Sequence, residues 1–220
     1  MCYRVVVDLE MCGIPKNCRN SLFRWADETI QIGAVLLDEN YEIVDRFNTY
    51  VSPEYGYING KIRNLTGISN KDVVDAPKMT EALQMFTNWI PEGDVEMVSW
   101  SMSDAYQFRH ELIGKQIENN RMEELLENWN DCQATFSEKL NKNRIYNLEE
   151  ALIIADIEPK GSAHDGLWDA YNTALLFAKM ETEPELVLND VFEYARKEEV
   201  EHLSNTLGDL FKILDLQLAS

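Results

Sequence analysis

Two acidic residues interrupt an apolar run near the start of the chain. The stretch VVVDLEMC, residues 5–12, sets Asp8 and Glu10 among Val5, Val6, Val7, Leu9 and Met11. In an extended chain residues i and i+2 point to the same face, so the two carboxylates converge while Val7 and Leu9 face the other way. Like charges that close raise each other's pKa unless a cation sits between them. A divalent magnesium or manganese ion, which prefers carboxylate oxygens, answers that problem. A solvated edge strand can carry the same two acids, so the pair does not decide by itself.

Three further residues have types suited to the same chemistry. Asp104, in SWSMSDAYQF, follows a strand-like segment and stands near a helix start, where Asp and Ser also serve as simple caps. In GSAHDGLWDAYNTALL, residues 161–176, His164 occupies a loop of small residues and Asp169 follows five positions later on an amphipathic pattern. A neutral imidazole suits a general base near pH 7, and a helix can aim Asp169 at a metal held by other acids. An Asp in a first helical turn is also favoured by the helix dipole alone.

The elements that would position these residues can be read from period and punctuation. RVVVDLE (4–10), TIQIGAVLLD (29–38) and EIVDRFNTYV (42–51) read as three strands with short links, an antiparallel meander closed by Pro53. Residues 61–90 turn helical, with Leu83, Phe86 and Ile90 at helical spacing. VEMVSW (95–100) is a short buried-type strand, and SDAYQFRHELIG after it is a helix. Residues 116–145 are polar and helix-leaning. NLEEALIIADI (147–157) begins with the Asn147/Glu150 spacing of a capping box and ends before Pro159 and Gly161. GLWDAYNTALLFAKM (166–180) is the last amphipathic helix of this part. Strands followed by alternating strand and helix imply an α/β domain, a mixed sheet covered by helices, over residues 1–180. ETEPE then leads into a long helical stretch over 186–218. Residues 181–220 are therefore expected to form an appended helical segment, with Val191, Phe192, Leu203, Leu207, Leu210, Phe211 and Leu214 needing a surface on the same domain or on a second copy.

Taken together, D-x-E on the first strand, an Asp after the fourth, and H-x-x-x-x-D at the last helix resemble the three motifs of the DnaQ-like, DEDDh-type 3′–5′ exonucleases. RNLTGISNKDVVDAP looks like that family's turn after the first helix, while EIVDRFNTYVSP, the SW of SWSMSD and YNLEEAL look most like the branch of histone-mRNA and RNA-interference-regulating exoribonucleases and their bacterial relatives. The resemblance implies a ribonuclease H-like fold with a mixed five-stranded sheet and two divalent cations, Mg²⁺ or Mn²⁺. It implies Asp8, Glu10, Asp104 and Asp169 as metal ligands and His164 as the base. It also implies hydrolysis of single-stranded or short nucleic acid from a free 3′ end to 5′-mononucleotides. RNA is favoured, with DNA as the alternative. Residues after Glu10, here Met11 and Cys12, border the terminal sugar and base in that family. Leu65 is the candidate wedge against the base, with a core leucine as the competing reading. Trp168 could stack on a base or simply pack. A different class of function, a non-catalytic protein-binding module on an exonuclease fold, would lack metal binding.

Composition narrows the setting. There are 39 acidic and 20 basic residues, giving −19, which argues against a broad electrostatic grip on long polyanions. Weak affinity for long duplexes and a preference for short strands or frayed 3′ ends follow. Cys2, Cys12, Cys18 and Cys132 form no C-x-x-C pair, no apolar run reaches membrane length, and no secretory leader pattern opens the sequence. A reduced, cytoplasmic, non-membrane protein is the expectation.

Overall fold

Strand β1 (Cys2–Gly13) is the axis of the sheet. It pairs antiparallel with β2 (Asp27–Leu37) from Arg4 to Gly13, but parallel with β4 (Asp94–Ser99) only from Cys2 to Val6. Strand β3 (Ile43–Tyr50) lies antiparallel on the outer side of β2, and the short β5 (Trp129–Asp131) lies parallel beyond β4, giving the order β3-β2-β1-β4-β5. The computed structural model describes residues 2–19, 23–140, 144–183, 185–186 and 188–189. The expected C-terminal helices, with the apolar residues from Val191 to Leu214 and any pairing of two copies through them, lie outside the described residues.

Alternation along β1 decides which helices cover which face. Val5, Val7 and Leu9 are buried against α3 (Met79–Trp89), α4 (Ser103–Lys115) and α5 (Asn120–Leu125). Val6 is buried on the opposite face, against α6 (Cys132–Lys139), α7 (Leu148–Ile154) and α8 (Gly166–Thr182). Asp8 and Glu10 continue the Val6 row. Two short helices, α1 (Gly60–Thr66) and α2 (Asn70–Val73), close the far end of β1, where Cys12, Ile30, Ile58, Ile68 and Val73 make a small separate core. Helix α7 starts with the expected capping box: the Asn147 side-chain Oδ1 accepts the Glu150 N–H at 2.8 Å, and the Glu150 carboxylate accepts the Asn147 N–H in return. Such a cap is worth ~1 kcal/mol.

Two expectations need correcting. Residues 116–145 are not simply helical, because they contain the fifth strand. Three residues are too few to show a period, and WND owes its strand state to the backbone partners offered by Met97, Val98 and Ser99. The helical 61–90 region is three separate helices, broken at Gly67, which takes a left-handed φ of 76°, and again before Met79. Among the described residues no helix is long and apolar enough to cross a membrane, and the four cysteines are free thiols.

One close approach fixes the most important helix. Gly33 on β2 sits directly opposite Asp8, and a Cβ there would collide with the Gly166 carbonyl and the Leu167 nitrogen at the start of α8. The missing side chain lets α8 come down onto the sheet beside Asp8. Gly33→Ala is therefore predicted to lower stability by ~1–3 kcal/mol, the usual cost of forcing atoms into packed space. Gly60→Ala, with no atom within 4 Å of the new Cβ, should leave the denaturation midpoint unchanged or slightly raised. Equal midpoints for the two variants would refute the close-approach account.

Candidate active site

Because β4 stops pairing at Val6, the second half of β1 runs on with one side open. The start of α4 fills that opening. Asp104, in its first turn and only 4 % exposed, accepts the Leu9 N–H at 3.0 Å through Oδ1. A carboxylate thus takes the backbone donor just beyond the end of the β4 ladder, and Asp104 is more than a helix cap, the cap position being Met102. This is the crevice at the carboxyl ends of parallel strands where α/β proteins commonly bind ligands. The β1–β2 register slips between Glu10 and Met11, a bulge of the kind found beside active sites.

The opposite wall comes from α8. Asp165 caps the helix by accepting the Leu167 N–H at 3.0 Å. Asp169, one turn on, accepts the His164 backbone N–H at 2.8 Å through Oδ2 and so sets the loop that carries the histidine. His164 has a left-handed φ of 61°, uncommon for a side-chain-bearing residue and held here by that bond. The loop is fastened again further back: Asn172 accepts the Lys160 N–H at 2.8 Å and donates to the Lys160 carbonyl at 3.0 Å. Trp168 packs flush against Gly161 and edge-on to Tyr171, so it is a packing residue that holds the loop. One ligand atom each from Glu10, His164 and Asp169 lies within 4.8 Å of the other two.

Two residues at the site were not singled out from sequence. Gln31, opposite Glu10 on β2 and fully buried, accepts the Gly166 N–H at 3.1 Å. Its amide nitrogen donates to Asn48 at 3.0 Å and to Asp165 at 3.3 Å. It pins the start of α8 to the sheet next to Glu10. Its signal was a lone amide in the apolar strand TIQIGAVLL, the same kind of signal that marked Asp8 and Glu10. Asp165, beside His164, is a fifth carboxylate whose charge helps to raise Asp8, Glu10 and Asp169.

The residues expected to touch substrate are placed unevenly. Leu65 is 45 % exposed on α1, so it is not a core leucine. Met11 is partly buried and packs toward α3 and α4. The Cys12 expectation is corrected: its side chain is fully buried in the small core under α1, out of reach of a ligand. Burial and the nearby Glu28 and Glu111 push its thiol up to about 12.

The electrostatics indicate what kind of group these residues suit. Burial, then the neighbouring Asp104, Asp169, Glu10 and Asp165, push the Asp8 carboxyl well above the usual range. Burial, followed by Asp169, Asp104 and Asp165, pushes Glu10 up to about 8. Burial raises Asp104 to about 7 even though the Leu9 N–H works against it. Asp169 is raised by burial too, with the His164 N–H opposing. No lysine or arginine among the described residues pairs with any of these four acids. The buried Lys115 is committed elsewhere, to Glu28 at 2.7 Å and Glu111 at 2.9 Å. An all-oxygen, anionic donor set with no protein counter-ion fits hard divalent cations such as Mg²⁺ or Mn²⁺.

A pH dependence follows. With the folded-state pKa of Glu10 near 8 and of Asp104 near 7, the metal-free fold binds more protons than the unfolded chain from about pH 5 upward. Its stability should therefore fall as pH rises through that window and level off above about pH 8. A drop in melting temperature of ~3 °C or more between pH 5.5 and 8.5 in chelator corresponds to ~1 kcal/mol for a domain of this size. Excess Mn²⁺ should abolish the drop. A flat profile in chelator would contradict the charge account. Glu28 is outside this window: burial acts to raise it, but Lys115 and backbone donors hold it below its usual value, so its contribution is lost only in acid.

Comparison with known proteins agrees with this geometry. The family profile described as exonuclease (RNase_T) matches residues 5–177. The chain is 29 % identical over 202 residues to ERI1 exoribonuclease 2 of Xenopus laevis, covering 81 % of this chain and 28 % of that protein. It is 30 % identical over 205 residues to ERI1 exoribonuclease 2 of Danio rerio, covering 82 % and 35 %. The chain thus spans about a third of the length of these curated relatives. Among solved structures, the nuclease domain of 3′hExo, a DEDDh family member bound to rAMP, superposes with a TM-score of 0.66 at 19 % identity, over 86 % of this chain and 96 % of that one. The strand order, the placement of the acids and the family match lead to one conclusion: the chain belongs to the exonuclease family, as a DnaQ-like member of the ribonuclease H-like superfamily.

Proposed function

We propose that this protein is a divalent-metal-dependent 3′–5′ exonuclease that releases 5′-mononucleotides from single-stranded or short RNA, using Mg²⁺ or Mn²⁺. The observation that carries the reading is the gathering of Asp8, Glu10, Asp104 and Asp169 with His164 at the open end of β1, without a cation from the protein. RNA is favoured because the two curated relatives described above are named exoribonucleases, although other curated relatives are DNA polymerase III proteins of the PolC type.

In this reading Asp8, Glu10, Asp104 and Asp169 would hold divalent cations, which would supply the positive charge that admits a phosphodiester and would acidify a water. His164 takes the proton from that water. Its exposed position lets the proton pass to solvent, and the bond from the His164 backbone N–H to Asp169 holds the loop that carries the imidazole. Gln31 and Asp165 hold the first turn of α8 in register with Glu10. Hydrolysis breaks the bond between phosphorus and the 3′-oxygen of the penultimate nucleotide. It leaves a 5′-monophosphate and a new 3′-hydroxyl, the next substrate.

The test is a 5′-labelled single-stranded RNA incubated with Mg²⁺ or Mn²⁺. The wild type should shorten it from the 3′ end and release 5′-mononucleotides. Asp8→Asn should abolish the reaction, and His164→Ala should slow it ~10²-fold or more, the usual weight of a general base. Faster loss of a matched DNA would move the substrate class to DNA. Absence of both release and divalent-metal binding would favour the non-catalytic module.

A further inference from the structure

The charge of this chain is unevenly distributed. Two segments, 11–26 and 56–71, hold six of the 20 basic residues (Lys16, Arg19, Arg24, Lys61, Arg63 and Lys71) and none of the 39 acidic ones. They are far apart in sequence, but the fold brings them together. Gly56 packs against Cys12 and Gly13 so closely that a Cβ there would lie 2.7 Å from the Cys12 sulfur. Phe23 packs on Tyr55 in a tilted arrangement with ring centroids 5.2 Å apart. Ile58 and Ile62 share the small core with Cys12. The Asn70 side chain bonds the Ile58 backbone in both directions, at 3.1 and 2.8 Å.

A buried ionic device holds the start of the second segment in place. Glu28 accepts the backbone N–H groups of Glu54, Tyr55 and Gly56 at 2.6, 2.9 and 2.7 Å. Lys115 binds Glu28 on one side and Glu111 on the other, and Glu111 accepts the Thr29 N–H at 2.8 Å. Burial acts to lower Lys115, but the two carboxylates outweigh it and hold the ammonium above its usual pKa. Breaking such a pair commonly costs ~3–5 kcal/mol, because the remaining charge stays buried.

The surface so formed is the continuation of the active-site strand. Met11 follows Glu10 directly, and Gly13 is only ~10 Å further along at the rise of a strand. Lys16, Arg24, Lys61, Arg63 and Lys71 are exposed, and among the described residues none of them is in an ion pair. Elsewhere Arg109, Arg121 and Arg144 are each paired with a glutamate. Apolar side chains stand among the free cations: Tyr57 is 56 % and Leu65 45 % exposed.

We propose that this basic rim is the track for the single-stranded body of the substrate, with phosphates against Lys16, Arg24, Lys61, Arg63 and Lys71 and bases against Tyr57 and Leu65. The inference rests on the exonuclease reading above and adds the path of the strand leading to the metal site. A protein with −19 overall can hold a polyanion if its free cations are gathered beside the cleft and its acids lie elsewhere. Contact with a single strand through Z phosphates gives an affinity that falls with salt with a slope of about −0.7Z, and exposed aromatic rings add base stacking without sequence preference.

The experiment compares the wild type, the Lys61→Ala/Arg63→Ala/Lys71→Ala variant and a control Arg109→Ala/Arg121→Ala/Arg144→Ala variant of equal charge. Cleavage of an RNA decamer and of a dinucleotide is measured in Mn²⁺ over about 50 to 200 mM salt. Binding of the decamer in Ca²⁺ is read by fluorescence anisotropy. The rim variant should raise the decamer KM ~10-fold with kcat unchanged, flatten its salt slope by about 2, and leave the dinucleotide unaffected. The control should match the wild type. Equal KM and equal slope in wild type and rim variant would overturn the proposal, as would the same loss in the control. If the wild type cleaves neither substrate but binds the decamer with the predicted rim dependence, the exonuclease reading fails and the track stands.

Discussion

The structure turns on a group of carboxylates that no lysine or arginine among the described residues neutralises. β1 runs past the end of its partner β4, and the acids collect in the opening: Asp8 and Glu10 from the strand, Asp104 from the helix that fills the gap, and Asp169 from the helix above. Protein scaffolds pair buried charge where they can, since an unpaired buried carboxylate is costly. Here the same chain does so a short distance away, where Lys115 sits between Glu28 and Glu111. That the active-site acids are left with raised pKa values and no lysine is the physical signature of a place kept for divalent cations.

Everything around the acids serves to hold them still. A glycine opposite Asp8 lets α8 descend, and a glutamine opposite Glu10 bonds the start of that helix. Asp169 orders the His164 loop, while Asn172 and Trp168 fasten the stretch before it. These contacts lie on strands and a helix, elements that hold geometry better than loops do. The buried Glu28–Lys115–Glu111 device plays the same part for the neighbouring basic rim. The molecule thus keeps two opposite electrostatic surfaces side by side: an acidic cleft for cations and a basic margin for phosphates.

Much of this was legible in the sequence, and the exceptions have physical reasons. The i, i+2 rule was enough to put Asp8 and Glu10 on one face, because a strand's alternation is local. The Asn147/Glu150 capping box was legible for the same reason. The fifth strand was not, since three residues carry no period and only tertiary pairing makes them a strand. Gln31 was missed because an amide in a strand is ordinary until its cross-strand neighbour is known to be Glu10. The fate of Cys12 was hidden by the bulge after Glu10, beyond which simple alternation no longer says which side faces the cleft. The acid-free segments were plain in the sequence, but net charge averaged them away. Only the fold shows that 11–26 and 56–71 meet.

The most direct measurement is calorimetric titration of Mn²⁺ into the metal-free protein at pH 7 in buffers of different ionisation enthalpy. Glu10 and Asp104, raised to about 8 and about 7, are protonated for a large part of the time at that pH and must release protons when a cation binds. The account predicts saturable binding with release of at least about one proton, lost in Asp8→Asn/Asp104→Asn. Absence of binding, or binding whose heat is the same in every buffer, would contradict it.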